Sequence, residues 1–176
     1  MNGRFLLQGN VISFIASIII LYGLILLLEN GIYFALSKTF LILITFVWIL
    51  AIPSYLSYRR SGLRKQWILN YFAIPAIVIT LIGMILAYMG NFLGIEVIVL
   101  GYIFEPIAGI SIYLNTLSFS KIYSSLFFWG ALLFTIGLPL YLTNLGIVAV
   151  IGDVIKIVGI VGLINIGRKT YLTKPN

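Results

Sequence analysis

Long apolar runs separated by short polar gaps recur along the whole chain. Six can be read: Phe5–Leu28, Thr39–Tyr58, Trp67–Met89, Phe92–Asn115, Ile122–Asn144 and Gly146–Ile166. Each holds at least about 20 residues, enough at 1.5 Å per residue for a helix to cross a hydrocarbon core near 30 Å. The gaps carry turn chemistry at Glu29-Asn30-Gly31, Gly90-Asn91 and Asn144 to Gly146, and a basic loop at Arg59 to Lys65. The pattern predicts an all-α, polytopic membrane helix bundle of six spans, built as a single domain over residues 1–176. The first run is longer than a signal-peptide core of about 7–15 residues, so it is expected to stay in the mature chain. Spans two to five each carry one proline (Pro53, Pro75, Pro106 and Pro139). A kink that neighbouring helices tolerate is the expectation for three of them. Pro106 stands apart because Glu105 precedes it.

Composition agrees: the chain is 62% hydrophobic and 9% charged, against roughly 25% charged residues in soluble domains. The net charge of +7 would suggest nucleic acid in a soluble protein. Here the basic residues are dispersed among the gaps, so orientation in the bilayer explains them and no nucleic-acid partner is expected. With the N-terminus inside, Arg4, Arg59, Arg60, Arg64, Lys65, Lys121, Arg168, Lys169 and Lys174 fall on the cytoplasmic side. Glu29 and Lys38 fall on the other. The positive-inside rule is met, and six spans place both termini in the cytoplasm. Tyr55, Tyr58, Trp67 and Tyr71 flank the basic loop as an interfacial belt would. High isoleucine and no cysteine are the composition of an AT-rich thermophile, and a prokaryotic plasma membrane is the expected location.

Four charges lie inside the apolar runs: Glu96, Glu105, Asp153 and Lys156. Glu96 is close enough to a span end to reach headgroups. The others are deep. Small residues form rows beside them: Gly94, Gly101 and Ala108 in span four, and Gly152 and Gly159 in span six, with Gly162 beyond. Such rows let a second helix backbone approach closely. Glu105 and Lys156 occupy equivalent positions beside these rows, at matched depths of roughly 15–20 Å. A lone charge at that depth costs about 2.5–3.5 kcal/mol or more. An ion pair joining spans four and six beside the glycine rows is therefore expected. Asp153, three residues from Lys156, is a rival partner. One lysine cannot pair fully with two carboxylates, so one of them must be protonated, hydrated or bonded to a neutral group. Proline at position 106 frees the Tyr102 carbonyl as a further ligand.

No His and no Cys are present, which removes thiolate catalysis, His-ligated haem and most zinc sites. Asp153 is the sole aspartate, so a two-aspartate protease is excluded. Ser124 and Ser125 have no histidine to activate them, and no phosphate-binding glycine loop exists. No enzyme acting alone, no metal and no cofactor is expected, although apolar grooves would suffice for a quinone. Two functions remain. One is an accessory subunit lending helices to a larger membrane assembly, such as a respiratory complex. The other is a small proton- or cation-coupled transporter or channel, self-associated or not, using Glu105, Asp153 and Lys156. The facing of the small-residue rows separates them: rows on lipid imply a missing partner, and rows buried around a charged cavity imply transport.

Overall fold

A computed structural model describes residues 2–171. Six helices follow one another: α1 (Gly3–Asn30), α2 (Lys38–Arg60), α3 (Gln66–Tyr88), α4 (Leu93–Thr116), α5 (Lys121–Gly137) and α6 (Ile147–Tyr171). No strand occurs among the described residues. All the helices except α5 are long and apolar enough to cross a bilayer, which marks a multi-pass membrane protein. Side-chain caps start three of them: Asn2 accepts from Arg4 N, Ser37 from Phe40 N and Ser120 from Tyr123 N. Gly31, Gly90 and Asn144 take up the positive φ that the reversals need.

The fifth span differs from expectation. It was expected to run unbroken to Asn144, but α5 has 17 residues and gives way to a 3₁₀ turn at Pro139–Thr143. Pro139 has no N–H to continue the helical ladder, and it sits in the first turn of the 3₁₀ segment, where none is needed. The segment is pinned at Tyr141, whose hydroxyl donates to the Leu24 carbonyl of α1 at 2.8 Å. Pro53, Pro75 and Pro106 lie inside their helices.

Each helix packs on its neighbour in sequence, and α6 returns to pack on α1, so the bundle closes into a ring. The tightest pairs are α3 with α4 and α5 with α6. There the glycine rows are used. A Cβ on Gly94 would strike the backbone of Gly83 and Ala87, and one on Gly101 would strike Thr80. A Cβ on Gly152 or Gly159 would fall on the backbone at Phe134 or Phe127. Gly130 and Gly137 of α5 return the contact against Lys156 and Ala149. Gly162 meets the Tyr123 ring. The rows therefore do not join α4 to α6, which are not packed neighbours. Short connections bring antiparallel neighbours together, so each row finds the helix next in sequence.

Two apolar clusters divide the interior. One gathers Leu24, Phe40, Ile98, Phe134, Tyr141 and their neighbours toward one end. The other gathers Leu6, Tyr58, Leu69, Ile112, Leu163 and neighbours toward the end holding the basic residues. At that basic end the chain is tied together: Asn2 N donates to Ser61 O at 2.7 Å, and Arg64 N to Asn115 Oδ1 at 3.0 Å. Of the basic residues assigned there, Lys174 lies outside the described residues. Gly109 has only ordinary contact with the Phe127 ring, at 3.8 Å. Gly109→Ala should therefore be neutral or stabilising by up to about 1 kcal/mol. Gly152→Ala should destabilise by roughly 1–3 kcal/mol, because backbone cannot yield. Thermal unfolding in detergent tests the pair, and equal effects would refute the assignment of the row.

Candidate functional site

Between the two apolar clusters lies a cavity of about 190 Å³, room for on the order of ten waters. Every helix contributes to its wall. Small side chains make the space: Ala51 of α2, Ala73 and Ala76 of α3, and Gly101, Ala108 and Gly109 of α4. Glu105 and Lys156 are the charged groups on the lining.

Lys156 enters from α6, where Ala149, Gly152, Asp153, Lys156 and Ile160 share one buried face. Its backbone N lies against Gly130, so the root of the side chain is fixed by the α5–α6 contact. The ammonium Nζ stands 2.9 Å from Asp153 Oδ1 and 3.5 Å from Glu105 Oε1. It also sits over the Phe134 ring, 4.4 Å from the centroid, a further attraction for a desolvated cation. Burial is unequal across the three. The Lys156 and Asp153 side chains are 2% and 0% exposed, whereas that of Glu105 is 39% exposed. Asp153 is thus the sealed partner, and Glu105 is the carboxylate open to the cavity. The two partners weighed from sequence are both within reach of the one lysine.

Asp153 is poorly served by this arrangement. Lys156 Nζ stands 2.9 Å from Oδ1, and no other donor among the described residues reaches either of the buried carboxylate oxygens. Coulomb attraction to the ammonium therefore carries most of what holds a charge there. The Tyr102 carbonyl, freed by Pro106, lies 3.5 Å from Thr135 Oγ1, which also donates to Ala131 O at 3.0 Å. Tyr102 places its ring edge-on to Phe134, with centroids 5.6 Å apart. It also lines a second, apolar cavity of about 50 Å³ beyond, so this aromatic pair partitions the interior.

A hydroxyl cluster faces the carboxylate side from α1 and α2. Ser13 Oγ lies 2.9 Å from Ser54 Oγ and 3.2 Å from the Tyr58 hydroxyl, which donates to Asn10 Oδ1 at 2.9 Å. Sequence reading finds no signal for Ser13 and Ser54, because serine is unremarkable one at a time, and it places Tyr58 in an interfacial belt, whereas Tyr58 is buried with its hydroxyl in this cluster. It also passed over Gly83, Gly130 and Gly137, though the last two repeat the seven-residue spacing seen in α6. Glu96 is exposed in the first turn of α4, where a helix N-terminus favours a carboxylate. Known protein families, curated proteins and solved structures offer no match to the chain, so the site is read from its own geometry.

Replacing Lys156 by Met leaves Asp153 buried without a counter-charge. A loss of about 3–5 kcal/mol is expected for such a broken pair. Adding Asp153→Asn to Lys156→Met should return a large part of that loss. A double-mutant cycle on thermal unfolding in detergent measures the coupling, and additive effects would show that the pair is not coupled.

Proposed function

We propose that the protein is a small proton- or cation-coupled membrane transporter, with Glu105 as the exchanging carboxylate and the Lys156–Asp153 pair as its fixed counterpart. One observation carries the reading: a single buried ammonium lies between a sealed carboxylate and one that opens on a central cavity. When Glu105 takes up a proton or a cation, Lys156 retains Asp153, so the interior never holds a bare ammonium. When Glu105 is released, the ammonium shares both carboxylates. Apolar clusters toward both ends and the Tyr102–Phe134 partition supply barriers that a carrier needs against leak. The alternative of an accessory subunit loses its main support, since the small-residue rows are occupied within the chain.

The proposal includes six crossings with both termini cytoplasmic. The 17 residues of α5 give about 25 Å at 1.5 Å each. The five-residue 3₁₀ turn adds about 10 Å at 2.0 Å each, so the two together match a bilayer core. The basic end carries Arg4, Arg59, Arg60, Arg64, Lys65 and Lys121, which favours the cytoplasm. The expected location remains a prokaryotic plasma membrane.

In proteoliposomes carrying an internal pH dye, one or more of a panel of inorganic and organic monovalent cations should drive proton movement. Glu105→Gln should abolish it, and Lys156→Met should reduce it at least tenfold. Silence across the panel, together with a stoichiometric partner co-purifying from the native membrane, would favour the accessory role. A reporter fused to the C-terminus should be active on the cytoplasmic side only. External activity would overturn the orientation.

A further inference from the structure

The cavity's chemistry and its walls bear on what it takes and by which route, granting the transport reading above. The ion cluster holds two carboxylates and one ammonium, and the lining adds no other charged side chain. With all three ionised the cluster carries one net negative charge, which a monovalent cation completes. A bare inorganic cation needs a shell of several oxygens, about six or more for the hard divalent ions. The lining is mainly apolar; of its hydroxyls, Ser13, Ser54 and Tyr58 bond to one another and to Asn10, and Tyr55 to Asn70, which leaves Ser17, Thr80 and Tyr102, fewer than a full shell needs. Aromatic residues are prominent: Trp48, Tyr55, Tyr102 and Phe127 line the same space. Aromatic rings with one accessible carboxylate suit an organic ammonium, whose charge is spread over carbon and needs little oxygen ligation.

The route follows from α2 and α3. Their contact is the sparsest between neighbours in the ring. No residue is buried from Trp48 to Leu56 of α2, nor from Asn70 to Ile82 of α3. Leu50, Ala51, Ala73 and Ile77 of these stretches nevertheless line the cavity. Long side chains span the gap: Trp48 Nε1 donates to Ile77 O at 2.9 Å, and the Tyr55 hydroxyl to Asn70 Oδ1 at 3.0 Å. Between these two bridges stand the small Ala51 and Ala73. Pro53 and Pro75 interrupt the backbone ladders of the two helices within the stretch between these bridges. Each end of the bundle, by contrast, is filled by an apolar cluster. We infer that the cavity binds a hydrophobic organic ammonium ion, which reaches Glu105 from the bilayer through the gap between α2 and α3.

The test uses the full chain in lipid nanodiscs, with benzyltrimethylammonium and its uncharged carbon isostere neopentylbenzene. Titration calorimetry should show saturable binding of the ammonium, weakened at least tenfold by Glu105→Gln and several-fold by Ala73→Phe, which fills the cavity away from the charges. The isostere should show partitioning alone. If Glu105→Gln fails to fold, Ala73→Phe with the isostere comparison still decides. The route is read from Trp48 in a Trp67→Phe, Trp129→Phe background. Lipids brominated on the acyl chain should quench Trp48, and saturating benzyltrimethylammonium should relieve that quenching. No saturable binding, equal binding of the isostere, or quenching that the bound cation leaves unchanged would overturn the inference. Cation-driven proton movement without ammonium binding would overturn this inference alone and leave the transport reading standing. Binding without proton movement would do the reverse.

Discussion

Backbone contact between α5 and α6 is the constraint on which the site depends. Inside a bilayer, apolar side chains gain little by leaving lipid for protein, so association rests on close packing. Gly130 and Gly137 on one helix, and Gly152 and Gly159 on the other, remove the side chains that would hold the two backbones apart. Lys156 N lies directly in this contact. Its side chain therefore leaves from a fixed origin toward the interior. A lysine on a loosely packed helix would reach for the interface instead.

From that origin the ammonium has three neighbours on three helices: Asp153 on its own, Glu105 on α4 and the Phe134 ring on α5. The row on α4 packs against α3, so α4 is positioned independently of α6. The ion pair then spans two separately built halves of the ring. This differs from a polar clasp that brings two helices together. Here the close packing is done by glycine, Asp153 is sealed, and Glu105 and Lys156 are left on a cavity wall. Burial of a charge is costly, and that cost is the physical argument behind the proposed exchange role.

The remaining wall is less rigid. The α2 and α3 helices meet through hydrogen-bonded side chains, with alanines between them and a proline in each. Close packing within α3–α4 and within α5–α6 leaves the α2–α3 seam as the sparsest part of the ring. The cavity and its open carboxylate lie behind that seam.

Much of this was legible in the residues themselves. Hydropathy and length place the helices, because a bilayer admits few other structures. Glu105, Asp153 and Lys156 stand out because each is expensive where it lies. Pro139 predicts a tolerated kink in an unbroken span five, not the end of the helix, and prolines at 53, 75 and 106 do leave their helices intact. The glycine rows could be read as seams, yet spacing along one helix does not name the helix opposite, and short antiparallel connections assigned each row to its neighbour. The choice between Glu105 and Asp153 had the same character. Sequence separation permits both, and only the folded ring makes one carboxylate sealed and the other open, because exposure is a property of what the other five helices cover.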